Sequence, residues 1–203
     1  MLFKKKNTEQ KNKIAQLIII TGCAGSGKTT IGKELARELG YTYVDKDTVT
    51  REFTDYILER SGSSKTDRES DLYRGEILPI EYKTTFKLCR EILDTGCNVI
   101  LTIPFISQIQ DFSKWNVIKK EAKIKRHKVR FIWIKHDIET EYVNVKNRGA
   151  ERDQYKLAHW EQYSESVNGL EPAKEYDAYI YTNDCNIDLF TALTDVKKWI
   201  KKL

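Results

Sequence analysis

Eight residues constrain this chain more than any others: Gly22-Cys-Ala-Gly-Ser-Gly-Lys-Thr29. They match G-x-x-x-x-G-K-[ST] without a mismatch, which a chain of this length would do by accident about once in a hundred cases at average residue frequencies. The apolar run Leu17-Ile-Ile-Ile-Thr21 before them suits a buried strand, and Ile31, Leu35 and Leu39 after them fall at helical spacing. Strand, glycine loop and helix in that order build a site for polyphosphate. Gly22, Gly25 and Gly27 permit unusual backbone angles and close approach of a ligand. Backbone N–H groups from Gly22, Cys23, Ala24, Gly25, Ser26, Gly27 and Thr30, with the positive end of the helix dipole, then face phosphate oxygens. Lys28 is spaced to reach the β- and γ-phosphates and Thr29 to offer its hydroxyl to Mg²⁺. A glycine-rich turn that merely caps a helix is the plain alternative. The pattern favours a nucleoside triphosphate.

The remainder of the chain repeats the same rhythm. Strand-like runs at residues 41–44, 98–103, 129–135 and 176–182 alternate with helical patterns at 48–59, 80–93, 106–123, 138–147, 154–164 and 187–202. Alternation of this kind predicts an α/β fold, a parallel sheet covered by helices on both faces, with ligands at the carboxyl ends of the strands. Residues 61–70 are polar and without periodicity, an exposed loop. The 203 residues suffice for one domain with a proper core, over 14–203, behind a basic flexible leader at 1–13.

Composition narrows the setting. The chain is 40% hydrophobic and 32% charged, and no apolar run reaches the roughly 18 residues of a membrane helix. No apolar segment follows the basic start, so a signal peptide is not expected. Cys23, Cys89, Cys97 and Cys185 form neither C-x-x-C nor a metal-ligand spacing with the histidines, which fits a reducing cytoplasm. A net charge of +5 suits phosphate ligands without marking a nucleic-acid surface. Cys23 reads as a small filler in the loop, with sensitivity to oxidants as the alternative.

Several side chains beyond the loop carry chemistry. Asp45 and Asp47 close the second strand, where a carboxylate can hold water on Mg²⁺ or accept a proton from an attacking hydroxyl. Asp47 capping a helix that starts at Thr48 is the simpler reading. Arg51, one turn after Asp47, would hold an acceptor or pair with that aspartate. Arg148 and Arg152 flank Gly149 in a segment, 148–156, that reads as a lid able to neutralise the triphosphate. Solvated helix-end charge is the alternative there, and Lys156 is the weaker candidate. Residues 52–88 connect the second strand to the helix before the third, so they form the acceptor side. Of their Tyr56, Arg60, Arg68, Tyr73, Arg74, Glu76, Tyr82 and Phe86, most read as helix core or solvated surface.

The phosphate loop, the Asp45-Lys-Asp47 pair, the strand 98–103 and Arg148…Arg152 before a helix together resemble the P-loop small-molecule kinases. The nearest in pattern are the zeta-toxin and chloramphenicol-phosphotransferase type, with shikimate, gluconate and polynucleotide 5′-hydroxyl kinases as wider relatives; the resemblance spans residues 15–200. It implies a five-stranded parallel sheet in order 2-3-1-4-5 and Mg²⁺-ATP as phosphoryl donor. It also implies Asp47 as acceptor base, Arg148 and Arg152 as lid arginines, and Thr182-Asn183 near the adenine. Several of these kinases carry an aspartate where strand three ends; here Thr102 stands before Ile103-Pro104, leaving Mg²⁺ to Thr29, the phosphates, water and Asp45.

Three functions follow from this pattern: an ATP-dependent kinase acting on a hydroxyl of a small molecule or nucleotide, a polynucleotide 5′-kinase, and a non-catalytic ATP-binding module. Dispersed charge speaks against nucleic acid. A guanine-specific switch would need Asn-Lys-x-Asp after strand four, where Ile134-Lys-His-Asp137 stands, so Asp137 reads as a helix cap. Acceptor identity and oligomeric state do not follow.

Overall fold

The computed structural model describes residues 14–135, 137–183 and 189–202. The 1–13 leader, His136 and Cys185 lie outside them. At the centre is a five-stranded parallel sheet, β1 (Gln16–Gly22), β2 (Thr42–Asp45), β3 (Val99–Thr102), β4 (Lys128–Lys135) and β5 (Tyr179–Thr182), in the order β2-β3-β1-β4-β5. This is the expected order. β1 lies in the middle because Leu17, Ile18, Ile19 and Ile20 have no accessible surface and must be covered on both faces.

Helices take the crossovers: α1 (Lys28–Leu39), α2 (Lys46–Arg60), α3 (Leu78–Asp94), α4 (Ile106–Ile109), α5 (Phe112–Glu121), α6 (Ile138–Arg148), α7 (Gln154–Ala158), α8 (Trp160–Val167) and α9 (Leu189–Lys201). One face of the sheet packs Leu17, Ile19 and Leu101 against Phe86, Phe105, Trp115 and Phe131. The other packs Ile18, Ile20, Ile100 and Ile132 against Ile31 and Leu35 of α1 and Leu193, Val196 and Ile200 of α9. Each such side chain removed from water contributes about 1.5–3 kcal/mol before the entropy of ordering is set against it.

Several boundaries differ from the sequence pattern. The single helix expected over 106–123 is two, because Asp111 accepts from Ser113 N and starts α5 afresh. The helix expected over 154–164 is broken at His159 into α7 and α8. Strand five is shorter than 176–182 because residues 174–176 form a 3₁₀ turn that ends in left-handed Asp177. Before α3 the chain makes a π-helical turn, Tyr73–Ile77, that the apolar periodicity did not announce.

Candidate active site

The carboxyl ends of β1, β2 and β3 open into a cleft of 780 Å³. Gly22, Ala24, Gly25, Ser26, Gly27, Lys28, Thr29, Thr30, Asp45, Asp47, Arg51, Arg148, Arg152 and Asn183 all line it. Cys23 is the exception among the expected loop residues. It is buried beneath the loop, and burial together with the Glu141 charge pushes its thiol up to about 12, which suits a filler and not a redox centre.

The loop is braced from two sides. Asn144 Nδ2 on α6 donates to Gly25 O at 3.0 Å, and Asn183 Nδ2, just past β5, donates to Ser26 O at 3.0 Å. Gly27 has φ +90°, and a Cβ there would meet Asn183 Nδ2 at 2.8 Å, so only glycine lets the brace approach. Tyr163 on α8 accepts from Ala24 N at 3.2 Å and donates to Glu141. Lys28 Nζ folds over the loop, donating to Cys23 O at 2.6 Å and Gly22 O at 2.9 Å. Burial lowers its pKa to about 8, and Arg148 adds to the effect against Cys23, Asp47 and Glu141.

Asp45 and Asp47 have separated roles in the structure. α2 begins at Lys46, so Asp45 is the cap, accepting from Thr48 N at 2.9 Å; the capping reading of Asp47 is corrected on that point. Parallel pairing sets Asp45 beside Thr102, whose hydroxyl donates to Asp45 Oδ2 at 2.7 Å and lies 2.8 Å from the Tyr43 hydroxyl. Strand register therefore brings the Asp45 carboxylate to the end of β3, where the sequence has Thr102.

Asp47 is held by two cations, Lys46 Nζ at 2.9 Å from Oδ1 and Arg152 Nη1 at 2.9 Å from Oδ2. Burial would raise its pKa, but Lys46, Arg152 and Lys28 outweigh it and hold the carboxyl at about 2. Arg51 lines the cleft and makes no ion pair with Asp47 among the described residues, so the pairing alternative falls to Lys46 and Arg152. Arg148 turns instead to buried Asp153, donating through Nε at 2.9 Å and Nη2 at 2.5 Å. Lys156 sits 4.8 Å over the Tyr163 ring.

Residues 52–88 are more ordered than their sequence suggests. Asp67 accepts from Ser63 Oγ and from the amides of Glu69 and Ser70, and Arg68 pairs with Asp55 at 2.7 Å, so the 61–70 loop is tied to α2. Tyr73, Tyr82 and Phe86 are core, while Tyr56 is 62% exposed. Asp137 caps α6 as expected, accepting from Thr140 N at 2.7 Å. Sequence reasoning missed Lys46, Glu81, Glu141 and Tyr163. Glu81 shares the i, i+4 row of Thr85 and Cys89 on the buried face of α3, and Glu141 shares that of Val145 on α6; a carboxylate on an apolar stripe was the available signal.

Solved structures share this architecture. A putative kinase from Chloroflexus aurantiacus superposes with a TM-score of 0.61 at 20% identity, covering 93% of this chain and 97% of that one. A sugar kinase from Janibacter sp. HTCC2649 gives 0.58 at 16% identity, over 92% and 94%. Curated relatives include a shikimate kinase from Synechococcus elongatus, 34% identical over 84 residues, which are 41% of this chain and 42% of that protein. A cytidylate kinase from Caldanaerobacter subterraneus is 30% identical over 120 residues, 55% of this chain and 50% of that protein. The match thus spans about half the length of these relatives or less. The AAA domain family model matches residues 17–170, more than half of the chain, and the chain belongs to that family, on a P-loop kinase fold.

Proposed function

We propose that the chain is an ATP-dependent kinase that moves the γ-phosphoryl group of Mg²⁺-ATP to a hydroxyl of a small molecule or nucleotide. The observation that carries this reading is one cleft holding both a complete phosphate loop and Asp47 clamped between Lys46 and Arg152. Relatives named shikimate kinase and cytidylate kinase support it.

The residues present fit ATP and Mg²⁺. Loop amides and Lys28 would receive the phosphates, with Asn183 at the adenine end. Thr29 and Asp45, the latter supported by Thr102, would hold Mg²⁺, which when bound neutralises charge on the phosphates. In the transfer, the acceptor oxygen bonds to the γ-phosphorus, the bond from that phosphorus to the bridging oxygen breaks, and ADP departs. Asp47 orients the acceptor hydroxyl and takes its proton, while Arg148 and Arg152 stabilise charge on the moving group. Arg51 would hold an anionic or hydroxylated part of the acceptor. Residues 52–88 form the acceptor side and 148–156 the lid of one domain over 14–203, in the zeta-toxin and chloramphenicol-phosphotransferase manner. A reducing cytoplasm suits the free Cys23, Cys89 and Cys97, and no helix among the described residues is long and apolar enough to cross a membrane.

The test is transfer of labelled γ-phosphate from Mg²⁺-ATP across nucleosides, sugars, hydroxy acids, antibiotics and 5′-hydroxyl oligonucleotides. A labelled product that Asp47→Asn abolishes, with ATP affinity kept, is the expected result. Normal turnover by Asp47→Asn would sink the assignment.

A further inference from the structure

We propose that Glu81 is a positioning residue for phosphoryl transfer: its buried carboxylate holds the Lys46 ammonium against Asp47 and so fixes the orientation of the acceptor base. The inference rests on the kinase reading above and adds a residue of α3 that lies outside the cleft.

Both carboxylate oxygens of Glu81 are hydrogen-bonded. Oε1 accepts from Thr54 Oγ1 at 2.6 Å and lies 3.0 Å from Thr50 Oγ1, whose one proton is shared with Lys46 O at 2.9 Å; Oε2 accepts from Lys46 Nζ at 2.7 Å and Tyr73 OH at 2.9 Å. Glu81 is 1% exposed, Lys46 3%, and Thr50 and Thr54 fully buried. The four donors come from α2 and from the π-helical turn, so the carboxylate joins three elements at one point. A π-turn spent on bringing a donor inward is the kind of irregularity that accompanies function.

The direction of Lys46 makes this more than a core ion pair. Its Nζ lies 2.7 Å from Glu81 Oε2 and 2.9 Å from Asp47 Oδ1, so the ammonium bridges the buried carboxylate to the one that faces the cleft. With Arg152 on Oδ2, each Asp47 oxygen has a cation of its own, and the carboxylate plane is set from both sides. Arg152 comes from a surface segment, whereas Lys46 is anchored in the core. Of the two cations paired with Asp47, Lys46 is the one tied to the core, through its contact with Glu81. If stability alone were at issue, an apolar pair of similar volume would serve as well. What an apolar pair would lack is the hold on Asp47.

The test is a double-mutant cycle between Glu81→Gln and Asp47→Asn. The readout is release of labelled phosphate from Mg²⁺-ATP to water and to shikimate, gluconate and cytidine monophosphate as trial acceptors. Binding of a fluorescent ATP analogue is measured alongside. Glutamine keeps the volume of Glu81 and can meet the threonine hydroxyls with its amide. Glu81→Gln is expected to lower kcat about tenfold to a hundredfold, the effect of a misplaced catalytic group, with KM for ATP and analogue affinity within about twofold of wild type. In the Asp47→Asn background it should cost little more, because the group it positions is already gone. The paired replacement Lys46→Met with Glu81→Leu leaves no buried charge unpaired, and should fold and show the same loss. Unchanged kcat in Glu81→Gln or in the folded pair variant overturns the inference, as do losses that multiply in the cycle. Loss with Asp47→Asn but not with Glu81→Gln would leave the kinase reading standing and remove this one. No phosphate release by the wild-type chain to any of the four would remove both.

Discussion

Arg152 and Asp47 meet across the mouth of the cleft, Nη1 to Oδ2 at 2.9 Å, so the segment after α6 is latched to the first turn of α2. Both side chains are about a third exposed, 28% and 31%, so the pair contributes under about 1 kcal/mol to stability. Its value lies in where it puts a cation. Arg152→Gln is expected to change the unfolding midpoint little and to lower phosphoryl transfer roughly 10³-fold, the lower end for an arginine that stabilises a transferring phosphoryl group. Thermal unfolding and labelled-phosphate transfer on the same preparation check both halves.

Lys28 is buried and folded over carbonyls of its own loop. Lys28→Ala should remove most triphosphate affinity. Mg²⁺-ATP at about a hundred times its dissociation constant should stabilise the wild-type chain by about 2.7 kcal/mol and the variant by almost nothing. Chemical unfolding with and without nucleotide measures the difference, and an equal gain in both proteins would remove Lys28 from the phosphate site.

Glu141 gives a pH signature. Burial raises its carboxyl from 4.5 to about 6, against the Tyr163 hydrogen bond and the charges of Lys28 and Lys156. An acid whose folded pKa is raised holds its proton more tightly in the folded state. The contribution is therefore complete below about 4.5 and is lost as pH rises through about 6. The gap between the two values corresponds to roughly 2 kcal/mol. The stability of wild type relative to Glu141→Gln should fall by roughly that amount between pH 4 and pH 7 in urea unfolding. A flat difference would contradict it.

Gly32 on α1 lies against β3, where a Cβ would come 2.5 Å from Thr102 Cγ2 and 3.0 Å from Tyr43 Cε2. Gly32→Ala gains helix propensity of about 1 kcal/mol but forces those neighbours apart, at roughly 1–3 kcal/mol. Net loss of stability is the expectation, together with weaker nucleotide binding because Thr102 supports Asp45. A stabilised variant with unchanged ATP affinity would show that the contact relaxes freely.

The parts of this molecule that obey a local rule could be read from its sequence. A buried parallel strand shows as four consecutive apolar residues, Leu17 to Ile20, and a phosphate loop shows as its glycines and lysine, because both depend on neighbours in the chain. The breaks at Asp111 and His159 were harder, since a polar residue on the exposed side of a helix leaves the apolar spacing intact. Asp45 and Asp47 could be seen together but not told apart, because which one caps α2 turns on where that helix starts. The Thr102–Asp45 contact depends on strand register and the Glu81 cluster on how α2 and α3 pack. Neither is a property of any one stretch of sequence.

The cluster around Glu81 also limits how this chain can diverge. Lys46, Thr50, Thr54 and Tyr73 all meet the Glu81 carboxylate, and all five side chains are buried. Changing any one of them strands a polar partner, so single steps are penalised while a coordinated exchange is not. Homologues should therefore keep or lose the five as a block, and a designer reshaping this side of the cleft would have to move them as one unit.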